Sequence, residues 1–278
     1  MMVADGIFRI KLKHPNLPQG VNVYLLTGEK ELCLIDAGYG DDESVKTIIS
    51  TIQRLGLDVE GLSLVVNTHG HPDHTGGNVP LKRLTKAKIA IHRLEAPRIR
   101  PLKADTLLED GDTVPINAAR LRVIHTPGHS PGQICLYDEK RRLLFSGDHI
   151  VEGTLTGTVY IGPPDGSVDQ YLSSLKKLMT LDVEMILPGH GRPILEPKKK
   201  IREILTHHRM REHQIMEVLR TGEKTADQIA EAIYGGLVAR PMGRGAIVGR
   251  VEKLVHDGLV EVIRRGGVEH YRLRDEGT

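Results

Sequence analysis

The sequence predicts a layered α/β protein with a smaller α+β unit attached at its C-terminal end. Short aliphatic and β-branched runs, apolar on both faces, alternate with Gly, Pro and Asp turns through the first two thirds of the chain. Helical periodicity appears between some of them, which implies sheets covered on their outer sides by helices. After Pro193-Ile194-Leu195-Glu196-Pro197 the pattern changes to charged helices that close in a hairpin. A chain of 278 residues exceeds the usual single domain but falls short of two large ones, so residues 1–197 are expected to form the main domain and 198–278 the appendage.

In chain order, strands are expected at Val21 to Thr27, Leu32 to Asp36, Leu62 to Asn67, Lys88 to His92, Leu121 to Ile124, Gln133 to Tyr137, Leu143 to Phe145 and Val183 to Leu187, from their aliphatic and β-branched content. Helices are expected at Glu43 to Leu55 and Val168 to Leu178, where apolar residues recur at three- and four-residue spacing. From Lys198 to about Arg220 a long charged helix carries Ile201, Ile204, Leu205, Ile215, Met216 and Leu219 as its stripe. Thr225-Ala226-Asp227-Gln228 starts a second helix, and a third runs through Ile247, Val251, Leu254 and Val255. Leu259 to Ile263, a turn at Arg264-Arg265-Gly266-Gly267 and Val268 to Leu273 then read as a hairpin. Three helices and a hairpin in this order are winged-helix-like.

Composition narrows the classes. Hydrophobic residues make up 39% and charged ones 27%, and no apolar run is long enough to cross a bilayer, so no membrane partner is expected. The first residues lack a basic stretch with an apolar core, and a cytoplasmic location is expected. Cys33 and Cys135 each sit in an apolar run and are expected to be core residues. Any metal must then be held by His and Asp. The net charge of +2 does not by itself favour nucleic acid, although from Lys198 onward 16 Lys and Arg face 12 Asp and Glu, leaving 22 against 24 before it. Aromatic content of 3% leaves few stacking platforms for single-stranded nucleic acid.

The chemistry is carried by Thr68-His69-Gly70-His71-Pro72-Asp73-His74-Thr75-Gly76-Gly77, which follows the apolar strand Leu64-Val65-Val66. Three imidazoles and a carboxylate within six residues are costly to bury unpaired, and they are the donors that Zn²⁺ or a similar borderline ion accepts. His69 and His71, two apart, point to one side of a near-extended chain, while a bend after Pro72 can turn Asp73 and His74 toward a second position. Three further strand ends offer ligands: Leu121 to Ile124 leads into His125-Thr126-Pro127-Gly128-His129, Leu143 to Phe145 into Ser146-Gly147-Asp148, and Met185 to Leu187 into Pro188-Gly189-His190-Gly191. In an open layered sheet such ends gather at one edge.

This H-x-H-x-D-H run, with the single downstream His, the S-G-D Asp and the P-G-H-G His, resembles the full ligand set of the metallo-β-lactamase superfamily over residues 1 to 195. The resemblance implies a four-layer αββα sandwich that holds two metal ions, zinc first and Fe or Mn as alternatives. It implies that His69, His71 and His129 bind one metal, that Asp73, His74 and His190 bind the other, and that Asp148 bridges them. Asp36, in Ile35-Asp36-Ala37-Gly38, matches the family's early acidic position, which supports the ligands from behind. Asp73 and His190 are the expected catalytic residues. A bridging water would be acidified toward neutral pH, and Asp73 would orient it and take its proton. Antibiotic-hydrolysing members of the commonest type carry Cys where this chain has Asp148, and flavin-linked di-iron members carry Glu at the position of His71, so lactam hydrolysis and redox chemistry are disfavoured.

The long helix with His207-His208-Arg209 and Arg211-Glu212, followed by the winged-helix-like unit, is similar to the two-domain branch of that superfamily. That branch includes a mitochondrial single-stranded-RNA endonuclease and polyketide-releasing thioesterases. The expected substrate is therefore a small-molecule ester or thioester, or single-stranded RNA, whose phosphates Lys198-Lys199-Lys200 and Arg264-Arg265 could hold. A thioesterase of the hydroxyacylglutathione kind and a non-catalytic nucleic-acid-binding regulator are the alternatives. His92, His125, His207 and His208 read as satisfied or solvated histidines. Tyr160 is a candidate pocket residue or a core residue. The C-terminal unit reads as a packing or homodimerisation element, because a helix presenting Gly243, Gly245, Ala246 and Gly249 offers few base-reading side chains.

Overall fold

The computed structural model describes residues 1–13, 18–28, 31–116, 119–154, 166–235 and 241–274. Tyr160 lies outside them. Seven strands form a first sheet in chain order: β1 (Met2–Ala4), β2 (Ile7–Leu12), β3 (Val21–Thr27), β4 (Leu32–Ile35), β5 (Leu62–Asn67), β6 (Lys88–His92) and β7 (Thr106–Leu108). Pairing is antiparallel as far as β4 and parallel from β4 to β7. The second sheet contains β8 (Thr113–Ile116), β9 (Ala119–His125), β10 (Ile134–Asp138), β11 (Leu143–Gly147) and β12 (Met185–Pro188) in the order β12-β11-β10-β9-β8.

The two sheets face each other across one core, where Tyr24, Ile35 and Val66 meet Leu136, Phe145 and Leu187. The rings of Tyr24 and Phe145 pack edge to face with centroids 5.3 Å apart. The outer face of the first sheet is covered by Ile48 and Ile52 of α1 (Asp42–Arg54) and by Leu81 of a helix that follows the short α2 (Pro72–Thr75), namely α3 (Asn78–Thr85). The outer face of the second is covered by Leu172 and Leu175 of α4 (Val168–Met179) and by Ile201 and Ile204 of α5 (Pro197–Arg220). The architecture is the four-layer αββα sandwich, in which both faces of each sheet are buried. That is why β3, β5, β10 and β11 read as largely apolar runs.

The helices start where local chemistry satisfies their first amides. Asp41 accepts the Ser44 N–H at the start of α1, with Asp42 and Glu43 in the first turn, and Ser167 accepts the Gln170 N–H at the start of α4. The last third of the chain runs through the second half of α5, β13 (Lys224–Thr225), α6 (Ala226–Tyr234), α7 (Pro241–His256), β14 (Val260–Arg265) and β15 (Val268–Leu273). Ile215, Leu219, Ile229, Ile247, Val251, Leu254, Val260 and Tyr271 form its own core beside a three-stranded sheet ordered β13-β15-β14. Thr225 and Gln228 form a reciprocal capping box at the start of α6. α5 serves both cores, Ile201 and Ile204 packing on the sandwich and Ile215 and Leu219 on the C-terminal unit. No described helix is long and apolar enough to cross a membrane.

The topology brings the ligand-bearing turns to one edge. β4 and β5 are parallel neighbours, so Asp36 and Thr68 emerge side by side. β11 and β12 are parallel neighbours too, so Asp148 and His190 do likewise, and the Gly189 N–H bonds the Gly147 carbonyl at 2.8 Å. β9 and β11 both run antiparallel to β10 and therefore end on the same side. The sheets are joined at this edge, where the Ile134 N–H bonds Thr68 O (2.9 Å) and the Asn22 N–H bonds Gly189 O (2.7 Å).

Candidate metal centre

Four turns, after β5, β9, β11 and β12, bring together the seven residues singled out in the sequence. His69 Nε2, His71 Nδ1 and His129 Nε2 form a triangle with sides of 3.1, 2.9 and 3.2 Å. A neutral imidazole carries one N–H, so three nitrogens aimed at a common point cannot all be satisfied by one another. Three nitrogens at such separations can instead share a cation about 2.0–2.1 Å from each. The backs of the rings agree with this. His69 Nδ1–H faces the Thr68 hydroxyl oxygen at 3.1 Å, and that hydroxyl donates to Asp36, so the Nε2 lone pair of His69 turns inward.

The second group lies beside the first. His190 Nε2 is 3.3 Å from Asp73 Oδ2 and 3.3 Å from Asp148 Oδ1, while His74 Nε2 is 3.5 Å and 3.3 Å from the same two oxygens. His74 Nε2 is fully buried and makes no hydrogen bond, being 3.3–3.5 Å from oxygens that are poorly aligned with it. Its other nitrogen donates to Asp36 Oδ2 at 2.8 Å, and His190 Nδ1 donates to the Gly20 carbonyl at 2.6 Å. Each ring is thereby oriented with Nε2 inward, as a metal-ligating histidine requires. Asp148 turns Oδ1 to this group and Oδ2 toward the first, 3.8 Å from His129 Nε2. Its carboxylate is placed between the two sets.

Charges are arranged to match. Burial holds His129 at about 3 and pushes His69 and His71 below the ordinary imidazole value, so that set is neutral at pH 7. Burial would depress His74 and His190 as well, but Asp36 and Asp148 hold His74 well above the ordinary value, and Asp148 and Asp73 hold His190 at about 10. Burial would raise the carboxyls in turn. The imidazoles of His190 and His74 instead bring Asp73 to about 2 and Asp148 well below the carboxylate range. Three convergent neutral nitrogens on one side, and two anionic carboxylates with imidazoles that a cation could deprotonate on the other, suit divalent cations.

Asp36 supports the array as expected, accepting the Thr68 N–H (2.8 Å), the Thr68 hydroxyl and His74. It does so with φ of +62°, an uncommon conformation for a residue other than glycine. The histidines outside the set have local roles: His92 stacks on His125 with centroids 4.4 Å apart, His125 Nε2 donates to Pro131 O, and His208 packs against Tyr171. Cys33 and Cys135 are buried free thiols. Arg264 is paired with Glu269, Arg265 with Glu223 and Lys199 with Glu196. Two contributors have no signature in the sequence. One is Tyr171, whose hydroxyl bonds the His149 carbonyl at 3.0 Å and steadies the turn after Asp148; the other is Glu95, fully buried behind the His69–His71 loop.

Comparison with known proteins places the fold. The model of the metallo-beta-lactamase superfamily matches residues 17–190. A beta-lactamase-like protein 2 homolog of Caenorhabditis elegans is 32% identical over 93% of this chain and 87% of its own length. An atrochrysone carboxyl ACP thioesterase of Aspergillus fumigatus is 30% identical over 95% of this chain, which spans 64% of that protein. The crystal structure of a metallo-beta-lactamase family protein from Thermus thermophilus superimposes with a TM-score of 0.83 at 24% identity, covering 98% of this chain and all of that one.

Proposed function

The chain belongs to the metallo-beta-lactamase superfamily, and from that premise we propose that it is a two-metal hydrolase of thioesters. The observation that carries this is the placement of Asp148 between two convergent donor sets, each complete enough to hold a cation. His69, His71 and His129 would hold one metal and Asp73, His74 and His190 the other, with Asp148 within reach of both. Zinc fits because imidazole nitrogens and carboxylate oxygens are among its usual ligands; Fe or Mn could occupy the same ligands. When bound, the two cations supply a water acidified toward neutral pH and polarise the scissile carbonyl.

The side chains do the rest. Asp73, a carboxylate at neutral pH, orients the water and receives its proton. His190, held by the Gly20 carbonyl, keeps Asp73 and Asp148 at fixed separation on the leaving-group side. Water oxygen bonds to the acyl carbon, the C–S bond breaks, and the sulfur leaves as thiolate to be reprotonated, giving acid and thiol.

The thioester is preferred to RNA on two grounds. The relative from Aspergillus fumigatus is a thioesterase by name. Four of the basic groups that would hold RNA phosphates have partners within the chain: Arg264, Arg265 and Lys199 pair with glutamates at the surface, and Lys200 bonds the Thr154 carbonyl. The deciding assay presents zinc-loaded protein with an acyl-coenzyme A, S-lactoylglutathione, single-stranded RNA and a chromogenic lactam. Thioester turnover abolished by Asp73→Asn and by His74→Ala is expected, whereas cleavage of RNA alone would overturn the proposal.

A further inference from the structure

The three-imidazole set spans two loops from different sheets. His69 and His71 follow β5 of the first sheet, and His129 follows β9 of the second. The 2.9 Å separation of His71 Nδ1 and His129 Nε2 therefore depends on how far apart these loops are held. Glu95, in the turn after β6, lies between them and is fully buried. Its Oε2 accepts the N–H of Gly70, the residue between the two histidines, at 3.0 Å, and its Oε1 accepts the N–H of Gly132, three residues beyond His129, at 2.7 Å. Arg98 Nε approaches Oε2 at 3.2 Å. Glu95 is itself anchored, its N–H bonding His92 O and its carbonyl accepting the Arg98 N–H, both at 2.9 Å.

The two glycines give an independent sign of the same contact. A Cβ at Gly70 would lie 2.6 Å from Glu95 Oε2, and one at Gly132 would lie 2.7 Å from Glu95 Cγ. Neither Gly70 nor Gly132 adopts a left-handed backbone, so the need there is for room and not for conformational freedom. Both loops close onto the same carboxylate, and in each the residue that meets it has no side chain to intervene.

We infer that Glu95 is the positioning residue of the three-histidine metal set: its two oxygens hold the loop bearing His69 and His71 at a fixed distance from the loop bearing His129. The inference rests on the two-metal proposal above. Glu95 meets neither metal nor substrate and acts through the two backbone amides. Charge-assisted bonds from buried amides are strong, and losing one leaves a buried N–H without an acceptor.

Glu95→Gln is the test, because it keeps the size but offers an NH₂ where one of the two amides needs an acceptor. Gly132→Ala is a second variant that leaves Glu95 in place and forces the loop away from it. Metal-free protein is titrated with Co²⁺, with the visible ligand-field bands and competition with a chromophoric chelator as readouts, and far-UV circular dichroism as the check on folding. Wild type is expected to bind two Co²⁺. Both variants are expected to bind one of them about 10–100-fold more weakly, with changed bands, and to retain the other. Two unchanged affinities in both variants would overturn the role given to Glu95. If wild type binds a single Co²⁺, the two-metal proposal fails, and the effect of Glu95→Gln on that ion still decides the role of Glu95. If it binds none, both fall.

Discussion

Gly189 offers a sharp test of how closely the second donor set is built. Its backbone is outside the left-handed region, so alanine costs nothing in conformation there. A Cβ at this position would lie 2.6 Å from Asp148 Oδ1 and 2.8 Å from His74 Cε1. Ordinary carbon–oxygen contacts begin near roughly 3.3 Å, so the methyl group must displace the Asp148 carboxylate, the imidazole or its own loop by about 0.7 Å. Metal–ligand distances tolerate only about 0.2 Å. The loop cannot simply retreat, because the Gly189 N–H is tied to Gly147 O and its carbonyl accepts the Asn22 N–H. Gly189→Ala is therefore expected to fold, with overpacking of about 1–3 kcal/mol, while losing one of the two proposed metals and about 100-fold in turnover. Elemental analysis of the purified variant, alongside thioester turnover, reads both. Two metals per chain and turnover within about twofold of wild type would refute the geometry on which the proposed centre depends.

Two further expectations concern protons and cooperativity. His74 and His190 hold protons at neutral pH in the metal-free protein, His190 up to about 10, whereas His69, His71 and His129 do not. Metal competes with those protons for Nε2, so binding at the second set should release protons and tighten as pH rises, the His190 proton contributing about tenfold in affinity per pH unit below 10. Binding at the three-histidine set should release none near neutrality, and calorimetry in buffers of different ionisation enthalpy that found equal release at both would refute the charge assignment. Leu219→Ala, in the C-terminal core, should cost about 2–5 kcal/mol. Because α5 is continuous between the two cores, the loss should appear as one shifted calorimetric transition, and two separated transitions would contradict that coupling.

Much of the fold is legible in the sequence, for an identifiable reason. β3, β10 and β11 are buried almost throughout and β5 over its second half, and such strands declare themselves as largely apolar runs. β2 does not, because Arg9 and Lys11 interrupt it, yet the hairpin with β3 buries Ile7, Ile10 and Leu12. α3 is concealed by Pro80, which is tolerated since it falls in the first turn, where an N–H has no helical partner. The strands β7 and β8, of three and four residues, are too short to show a period at all. The tight turn of the last hairpin is Gly266-Gly267 alone, with Arg264 and Arg265 still paired in the ladder, because two glycines with positive φ suffice to reverse the chain.

The site divides along a different line. Side chains that would face a cation are legible, because seven imidazoles and carboxylates placed after strands have little other reason to be there. Groups that hold them are mostly not. Thr68 acts through a hydroxyl shared by Asp36 and His69, Gly20 through a carbonyl that receives His190, and Glu95 through two amides 25 and 37 residues away. Each of these bonds uses the backbone or a common side chain, all but that of Thr68 to His69 at long separation, and Glu95 between Leu94 and Ala96 is locally indistinguishable from a solvated turn residue. The glycines at 70, 132 and 189 can be read in sequence only as loop punctuation; their reason is an acidic side chain within 3 Å that comes from another part of the chain, Glu95 at the first two and Asp148 at the third. What sequence conveys here is the chemistry of the donors. Their spacing is set by contacts that exist only once the two sheets have met.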